Sequence, residues 1–357
     1  MIIKINDDII SKDSKTYFIA DIAANHDGDI NRAKKLIELA HDAGANAVKF
    51  QHHDVTKYVS DFGFKSLGGK FSHQSSWDKT IYEVYKDAEV PLSWTAELRQ
   101  FCQERNITFF STPYDLDIVD HLNKFVPAFK IGSGDLAWEA MLEKVAKTNK
   151  PTLIATGAGT IGEVQRAMEV VRPHNDKIVL MQCNTNYTAE KENFKYINLN
   201  VLKTYAAMFP NVVLGLSDHT LGHVTVLGAV ALGARVVEKH FTDDTSRPGP
   251  DHPFSMDPTT WRAMVDDVRL LESSLGHGTK EVQENEKETV VLQRRAIRVT
   301  EDLEPGDLIQ KTSVQFQRPC PEDAISINEV DKIVGLVVNK SITSGDYLRK
   351  EHIEWRW

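Results

Sequence analysis

The stretch VVLGLSDHTLGHVTVLGAVALGARVVEKH (212–240) decides the fold. Its apolar, β-branched opening, VVLGL (212–216), ends on Ser217, Asp218 and His219. Apolar residues at helical spacing follow from His223 to Leu232, and a second β-type run, RVVEKH (235–240), ends on Glu238, Lys239 and His240. Strand, polar end, helix, strand is the order of a parallel βαβ unit, with its chemistry gathered where the strands finish.

The same rhythm extends outward from this unit, from Tyr17 to about Gly276. Further strands are predicted at FIADIA (18–23), NAVKF (46–50), ITFFS (107–111), AFKIG (128–132), TLIAT (152–156) and IVLMQ (178–182), which makes eight. Amphipathic segments lie between and after them, at Arg32–Ala43, Ser93–Glu104, Ile118–Lys124, Ala137–Lys147, Ile161–Val171, Asn200–Phe209 and Thr259–Leu275. Eight strands in strict alternation with eight helices predict an α/β fold, a (β/α)8 TIM barrel. An open doubly wound sheet is the alternative, but the first strand lacks the Gly-x-Gly-x-x-Gly turn of a dinucleotide fold. One long interruption, His52 to Val90 with Gly68-Gly69, reads as a loop covering the substrate, since loops after barrel strands line the active face.

Beyond the eighth helix the composition changes. GHGTKEVQENEKE (276–288) is polar and charged, the mark of a linker. LEPGDL (303–308) is then echoed by ITSGDYL (342–348), two turn-plus-strand units of a small, mostly β domain. The expected organisation is a barrel over 1–276, a linker over 277–289 and the small domain over 290–357.

Forty-two Lys and Arg against 51 Asp and Glu leave a net charge of −9, which argues against nucleic acid or an anionic membrane as partner. An anionic substrate would need a local cluster of cations. No stretch approaches the roughly 20 apolar residues of a membrane span, and Met1–Lys15 is too charged for a signal peptide. The three cysteines, Cys102, Cys183 and Cys320, are scattered and odd in number. They read as buried small hydrophobes in a reducing compartment, so the expected location is cytoplasmic.

All eight strand ends carry polar groups. Lys49 and Lys130 close apolar runs, where an unpaired ammonium would lose several kcal/mol of hydration. Each must face an anion: a carboxylate such as Asp21 or Glu238, or a bound phosphate or carboxylate helped by Ser111, Thr112, Ser133, Ser217 and the N–H groups of 132–134. His219 and His240 end consecutive strands, so their rings can converge as a plain polar contact or on a metal with open positions. Gln51, Asp21 and Asp251 are placed to complete such a shell or to move protons, Asp251 on the stiff loop RPGPD (247–251).

NHDGD (25–29), AGANAVKFQ (43–51), FSTPYD (110–115), AFKIGSGD (128–135), GLSDHTLGH (215–223), EKHFTDD (238–244) and RPGPDHPFSM (247–256) together resemble the N-acetylneuraminate (sialic acid) synthase family. The EPGD and SGDYL repeats resemble its C-terminal antifreeze-like, or SAF, domain. The resemblance implies a phosphoenolpyruvate-dependent, C–C bond-forming transferase. A divalent ion, Mn2+ or Mg2+, would be held by His219 and His240, and phosphoenolpyruvate by Lys49, Thr112, Lys130, Ser133 and Ser217. Asp135, Asp251, Tyr187 and Arg318 would meet the amino sugar, Arg318 reaching the barrel of the other subunit in a domain-swapped homodimer. Asp21 and Asp135 stand where the family commonly has glutamates, Ala155 replaces a serine, and Thr188 replaces a proline. The shorter carboxylates make a 2,4-diacetamido-hexose, leading to legionaminic or pseudaminic acid, the alternative to N-acetylmannosamine. A metal-dependent aldolase or sugar isomerase would use the histidines without needing two anion-facing lysines. A binding protein with an inert barrel predicts some apolar strand ends, and there are none.

Overall fold

A computed structural model describes residues 1–67, 74 and 77–355. Contacts divide them into two compact units, Met1–Gly276 and His277–Trp357.

The first unit opens with a hairpin, β1 (Ile2–Ile5) and β2 (Asp8–Ser11), turned at Asn6-Asp7. Eight parallel strands follow: β3 (Tyr17–Asp21), β4 (Ala47–His52), β5 (Thr108–Pro113), β6 (Phe129–Ile131), β7 (Thr152–Ala155), β8 (Ile178–Cys183), β9 (Val213–Asp218) and β10 (Val236–His240). They close into a barrel in which β10 pairs with β3, Val236 opposite Tyr17. Closure excludes the open doubly wound sheet. Seven of the eight strands are buried along their whole length, and β4 along all but Gln51, because the barrel interior packs one face and helices cover the other.

The helices form where the apolar spacing placed them. Ile161–Val171 buries Val164, Ala167, Met168 and Val171 in one stripe and starts in a capping box of Thr160 with Glu163. Pro258–Leu275 is capped by Asp257, has proline in its first turn and buries Trp261 edge-on against Phe241 at 5.5 Å. The hairpin was not anticipated from the sequence. Ile3, Ile5 and Ile10 join the barrel core, and Asn6 Nδ2 donates to Thr108 Oγ1 at 3.1 Å, which sets the hairpin against the amino end of β5 and away from the strand ends that carry the chemistry.

The interruption after β4 is not an unstructured loop. Short helices at Val55–Tyr58, Asp61–Ser66 and Ile81–Asp87 gather a local apolar cluster of Val55, Val59 and Ile81 with Tyr58 and Tyr85. Gly68-Gly69 lies outside the described residues.

In the second unit β11 (Ala296–Val299) pairs antiparallel with β12 (Val314–Gln317) over a core that includes Ile297, Leu303, Ile342 and Leu348. The two sequence echoes bond to each other, since Leu303 and Ile342 exchange backbone hydrogen bonds of 2.9 and 2.8 Å. The stretch expected as linker turns helical before its end, with a helix over Lys287–Gln293. No helix among the described residues is long and apolar enough to cross a membrane.

Candidate active site

Side chains alternate sides along a strand, so Ser217 with His219 and Glu238 with His240 point the same way, into the mouth of the barrel. There Asp21, Lys49, Gln51, Thr112, Lys130, Ser133, Tyr187, Ser217, His219, Glu238 and His240 line one cavity of about 230 Å³. Ten of the residues read from sequence as site residues therefore meet in one place, and the eleventh, Glu238, reaches Lys49, Lys130 and Ser217 among them.

Lys49 is 2% exposed, with Nζ 2.7 Å from Asp21 Oδ2 and 3.8 Å from Glu238 Oε1, and it donates to Thr112 Oγ1 at 3.3 Å. Burial alone would lower its pKa, but the Asp21 and Glu238 carboxylates hold it above the ordinary value, so the ammonium persists. Lys130 Nζ lies 3.3 Å from the same Glu238 oxygen. The carboxylate partners considered from sequence are thus real. Glu238 Oε2 is buried without a hydrogen-bond partner among the described residues. Each ammonium has three donors, and one shared carboxylate oxygen cannot saturate both.

Ser133 opens a 3-10 turn, Ser133–Asp135, and its Oγ accepts from the N–H of Gly157 at 3.0 Å. A Cβ on Gly157 would come within 2.6 Å of Thr185 Cγ2 and 3.0 Å of Cys183 Sγ, so only glycine lets the loop after β7 approach this closely. Cys183, read as an inert buried residue, also lies 4.0 Å from His219 Nδ1, whereas Cys320 is only partly buried.

The imidazoles of His219 and His240 converge with ring centroids 5.4 Å apart. His219 Nδ1–H donates to Asn184 O at 2.8 Å, and although burial opposes it, Cys183 and this carbonyl hold the pKa of the ring above its ordinary value; in the neutral ring Nε2 is the lone-pair nitrogen. His240 Nδ1 is buried without a hydrogen-bond partner among the described residues, and its ring nitrogens lie 3.6 Å from Asp21 Oδ2 and 3.7 Å from Asp251 Oδ2. Burial, with help from neighbouring His219 and Lys49, keeps the pKa of His240 well below the ordinary value, so its ring is neutral. Among the described residues no cluster of three or more His, Cys, Asp or Glu forms a ready metal cage. Two converging imidazoles, one with an orphaned buried nitrogen, do fit an ion that keeps open positions.

Asp251 lines an adjoining cavity of about 130 Å³ together with Gln51, Tyr58, Tyr85, Tyr114 and Tyr187. Its Oδ2 accepts from the N–H of Ala24 at 3.1 Å, and burial, reinforced by Asp21, raises its pKa to about 6. Arg247 and His252, on either side of it in the chain, both reach Asp27, at 2.6 and 3.1 Å, and so anchor the Pro- and Gly-rich loop. Arg318 belongs to the second unit, where it is exposed and its Nε donates to Gln293 O at 2.6 Å.

Asp135 Oδ2 is buried without a hydrogen-bond partner among the described residues, and burial lifts the carboxyl from 3.8 to about 6. Between about pH 4 and 6 the native state therefore holds a proton that the unfolded chain has released, and stability falls as pH rises through that window. Asp135→Asn is expected to remove the slope and to stabilise the fold at pH 7 by on the order of 2 kcal/mol, with little gain near pH 4.5. Urea unfolding at both pH values tests this; the same gain at each would show that the carboxyl is not perturbed.

Apart from Tyr187, sequence reasoning gave no role to the tyrosine wall of the second cavity. Tyr114 could have been found, since it follows Thr112 by one strand period. Tyr58 and Tyr85 carry no local signal, because the helices after β4 bring them together.

The NeuB family profile matches residues 36–280, and the SAF domain profile matches 294–354. An N,N'-diacetyllegionaminic acid synthase of Campylobacter jejuni is 33% identical over 94% of this chain and 99% of its own length. A pseudaminic acid synthase of the same organism is 33% identical over 95% and 96%. The crystal structure of an N-acetylneuraminic acid synthetase from Leptospira borgpetersenii, in complex with citrate, superposes with a TM-score of 0.71 at 28% identity, covering 81% of this chain and 95% of that one.

Proposed function

The chain belongs to the NeuB family and carries a SAF domain, and from that premise we propose that it condenses phosphoenolpyruvate with the open-chain aldehyde of an N-acylated amino sugar, releasing phosphate by C–O cleavage. The observation that carries this reading is the meeting of two buried lysines and two buried histidines, from four strands, in one cavity.

Lys49 and Lys130, with Thr112, Ser133 and Ser217, hold the phosphate and carboxylate of phosphoenolpyruvate, as charge-assisted donors in a dry site do best. Its C3 attacks the aldehyde carbon, water adds at C2, and the C2–O bond to phosphate breaks. His219 and His240 would hold Mn2+ or Mg2+, which when bound polarises a carbonyl as a Lewis acid. Gln51 Nε2 donates to Asp21 Oδ2 at 3.0 Å, which orients both groups toward the His240 side of the cavity. Asp251, its carboxyl pushed up to about 6 by burial, supplies the proton that the new alkoxide takes up. Tyr187 and Asp135 are assigned to the sugar, and Arg318 to the N-acyl group in the partner's barrel of a homodimer. A phosphoenolpyruvate-consuming reaction of this kind is assigned to the cytoplasm.

The shortened carboxylates at 21 and 135, and relatives named for legionaminic and pseudaminic acid that match nearly the whole chain, favour a 2,4-diacetamido-trideoxyhexose as a second reading of the sugar.

Phosphate release from phosphoenolpyruvate labelled with 18O in the bridging position tests the proposal, in Mn2+ and in excess chelator. N-acetylmannosamine, its 6-phosphate and 2,4-diacetamido-2,4,6-trideoxyhexoses are compared. Chelator-sensitive release with one of these sugars, with the label carried into phosphate, is the expected outcome. Silence with all of them would move the assignment to an aldolase or isomerase.

A further inference from the structure

Each inward imidazole is preceded in the chain by one member of a buried ion pair. Asp218 stands before His219 and Lys239 before His240, and the two are register partners on β9 and β10. The two-residue period turns this pair to the outer face of the barrel while the histidines face the cavity. Lys239 Nζ lies 2.5 Å from Asp218 Oδ2, with both side chains 1% exposed. The same ammonium donates to the carbonyl of Thr220 at 2.7 Å. Asp218 also accepts from the N–H of Thr220 at 3.3 Å, from the Thr220 hydroxyl at 2.9 Å and from the Thr225 hydroxyl at 2.7 Å.

The consequence is mechanical. Backbone on both sides of His219, at 218 and at 220, is tied to the residue covalently joined to His240. A buried pair of this kind is a poor device for stability, because well-packed apolar side chains do as well, but it is a good one for holding a fixed geometry. Partners bonded to a metal-binding histidine orient its ring directly; this pair bonds neither ring and acts through the backbone that carries them.

We propose that Asp218 and Lys239, braced by Thr220 and Thr225, are positioning residues that set the separation of His219 and His240 and thereby the affinity of the site for its divalent ion. The proposal rests on the metal reading of the two histidines.

The test uses the full-length chain. Asp218→Asn with Lys239→Met removes both charges and leaves neither one buried alone. Thr225→Val removes one brace, and Thr225→Ser keeps it. The Mn2+ dissociation constant is read from the paramagnetic resonance of free Mn2+, phosphoenolpyruvate affinity is measured separately in chelator, and thermal melting reports folding. The double variant should bind Mn2+ some 10- to 100-fold more weakly, and Thr225→Val several-fold more weakly with recovery in Thr225→Ser, while phosphoenolpyruvate affinity is unchanged. An unchanged Mn2+ constant in the folded variants overturns the clamp. So does a parallel loss of Mn2+ and phosphoenolpyruvate, which would mark a general collapse of the site. If the double variant does not fold, Thr225→Val against Thr225→Ser decides. A wild-type chain that binds no Mn2+ fails at the earlier step, the metal reading itself, and takes the clamp with it.

Discussion

Replacing Lys49 by methionine is expected to lower kcat/KM for phosphoenolpyruvate by about 1,000-fold or more, and to weaken the fold as well. The four charges at the base of the cavity, Lys49, Lys130, Asp21 and Glu238, sum to zero, and without Lys49 the set becomes anionic where an anion must bind. A unit charge at 4 Å is worth about 4 kcal/mol at the effective dielectric of such sites, which corresponds to some three orders of magnitude. Removing one member of a buried pair also strands its partner, here Asp21 at 2.7 Å, at a cost of about 3–5 kcal/mol.

The two effects separate in a second variant. Asp21→Asn combined with Lys49→Met should recover much of the stability, because no unpaired carboxylate remains beside position 49, yet it should recover none of the activity. Urea unfolding and phosphate release measure the two quantities. Activity within tenfold of wild type in Lys49→Met would mean that this lysine only balances Asp21, and the anion clamp would have to be abandoned.

The order of elements was legible because parallel strands buried on both faces are written as unbroken apolar runs. The predicted run 178–182 and the observed β8, Ile178–Cys183, differ by one residue for that reason. Strand-end chemistry was legible because a period of two converts position into direction: once Lys49 points into the barrel, Gln51 must as well. What escaped lacked a period. The β1–β2 hairpin rests on three isoleucines in a charged segment, and the helices after β4 form a cluster around Val55 and Ile81 that no local pattern announces. Glu238 was visible as a strand-end carboxylate, but its sharing between two lysines depends on β10, β4 and β6 facing one another across a closed barrel, a relation absent from any stretch of chain. Asp218 and Lys239 were visible as polar strand ends, but their pairing was not read. They alternate with the histidines and face away from the cavity, so no role at the site follows from their position alone.

The same geometry gives a large effect at His240. His240→Ala is expected to reduce phosphate release by about 1,000-fold or more and to abolish its dependence on divalent ions, because a Lewis acid contributes several kcal/mol to the transition state. The loss of stability should be smaller than for Lys49→Met. His240 is neutral and its Nδ1 has no hydrogen-bond partner among the described residues, so truncation strands no charge and breaks no described bond at that nitrogen. What it forfeits is ring packing, against Phe254 at 4.8 Å between centroids and against His219 and Tyr187. A fold nearly intact beside an activity nearly gone is therefore the signature of a ligand, whereas Lys49→Met should lose both. Chelator titration of wild type and variant makes the decision: if His240→Ala keeps activity that chelator still removes, the ion is bound elsewhere and the two histidines are only neighbours in a crowded barrel mouth.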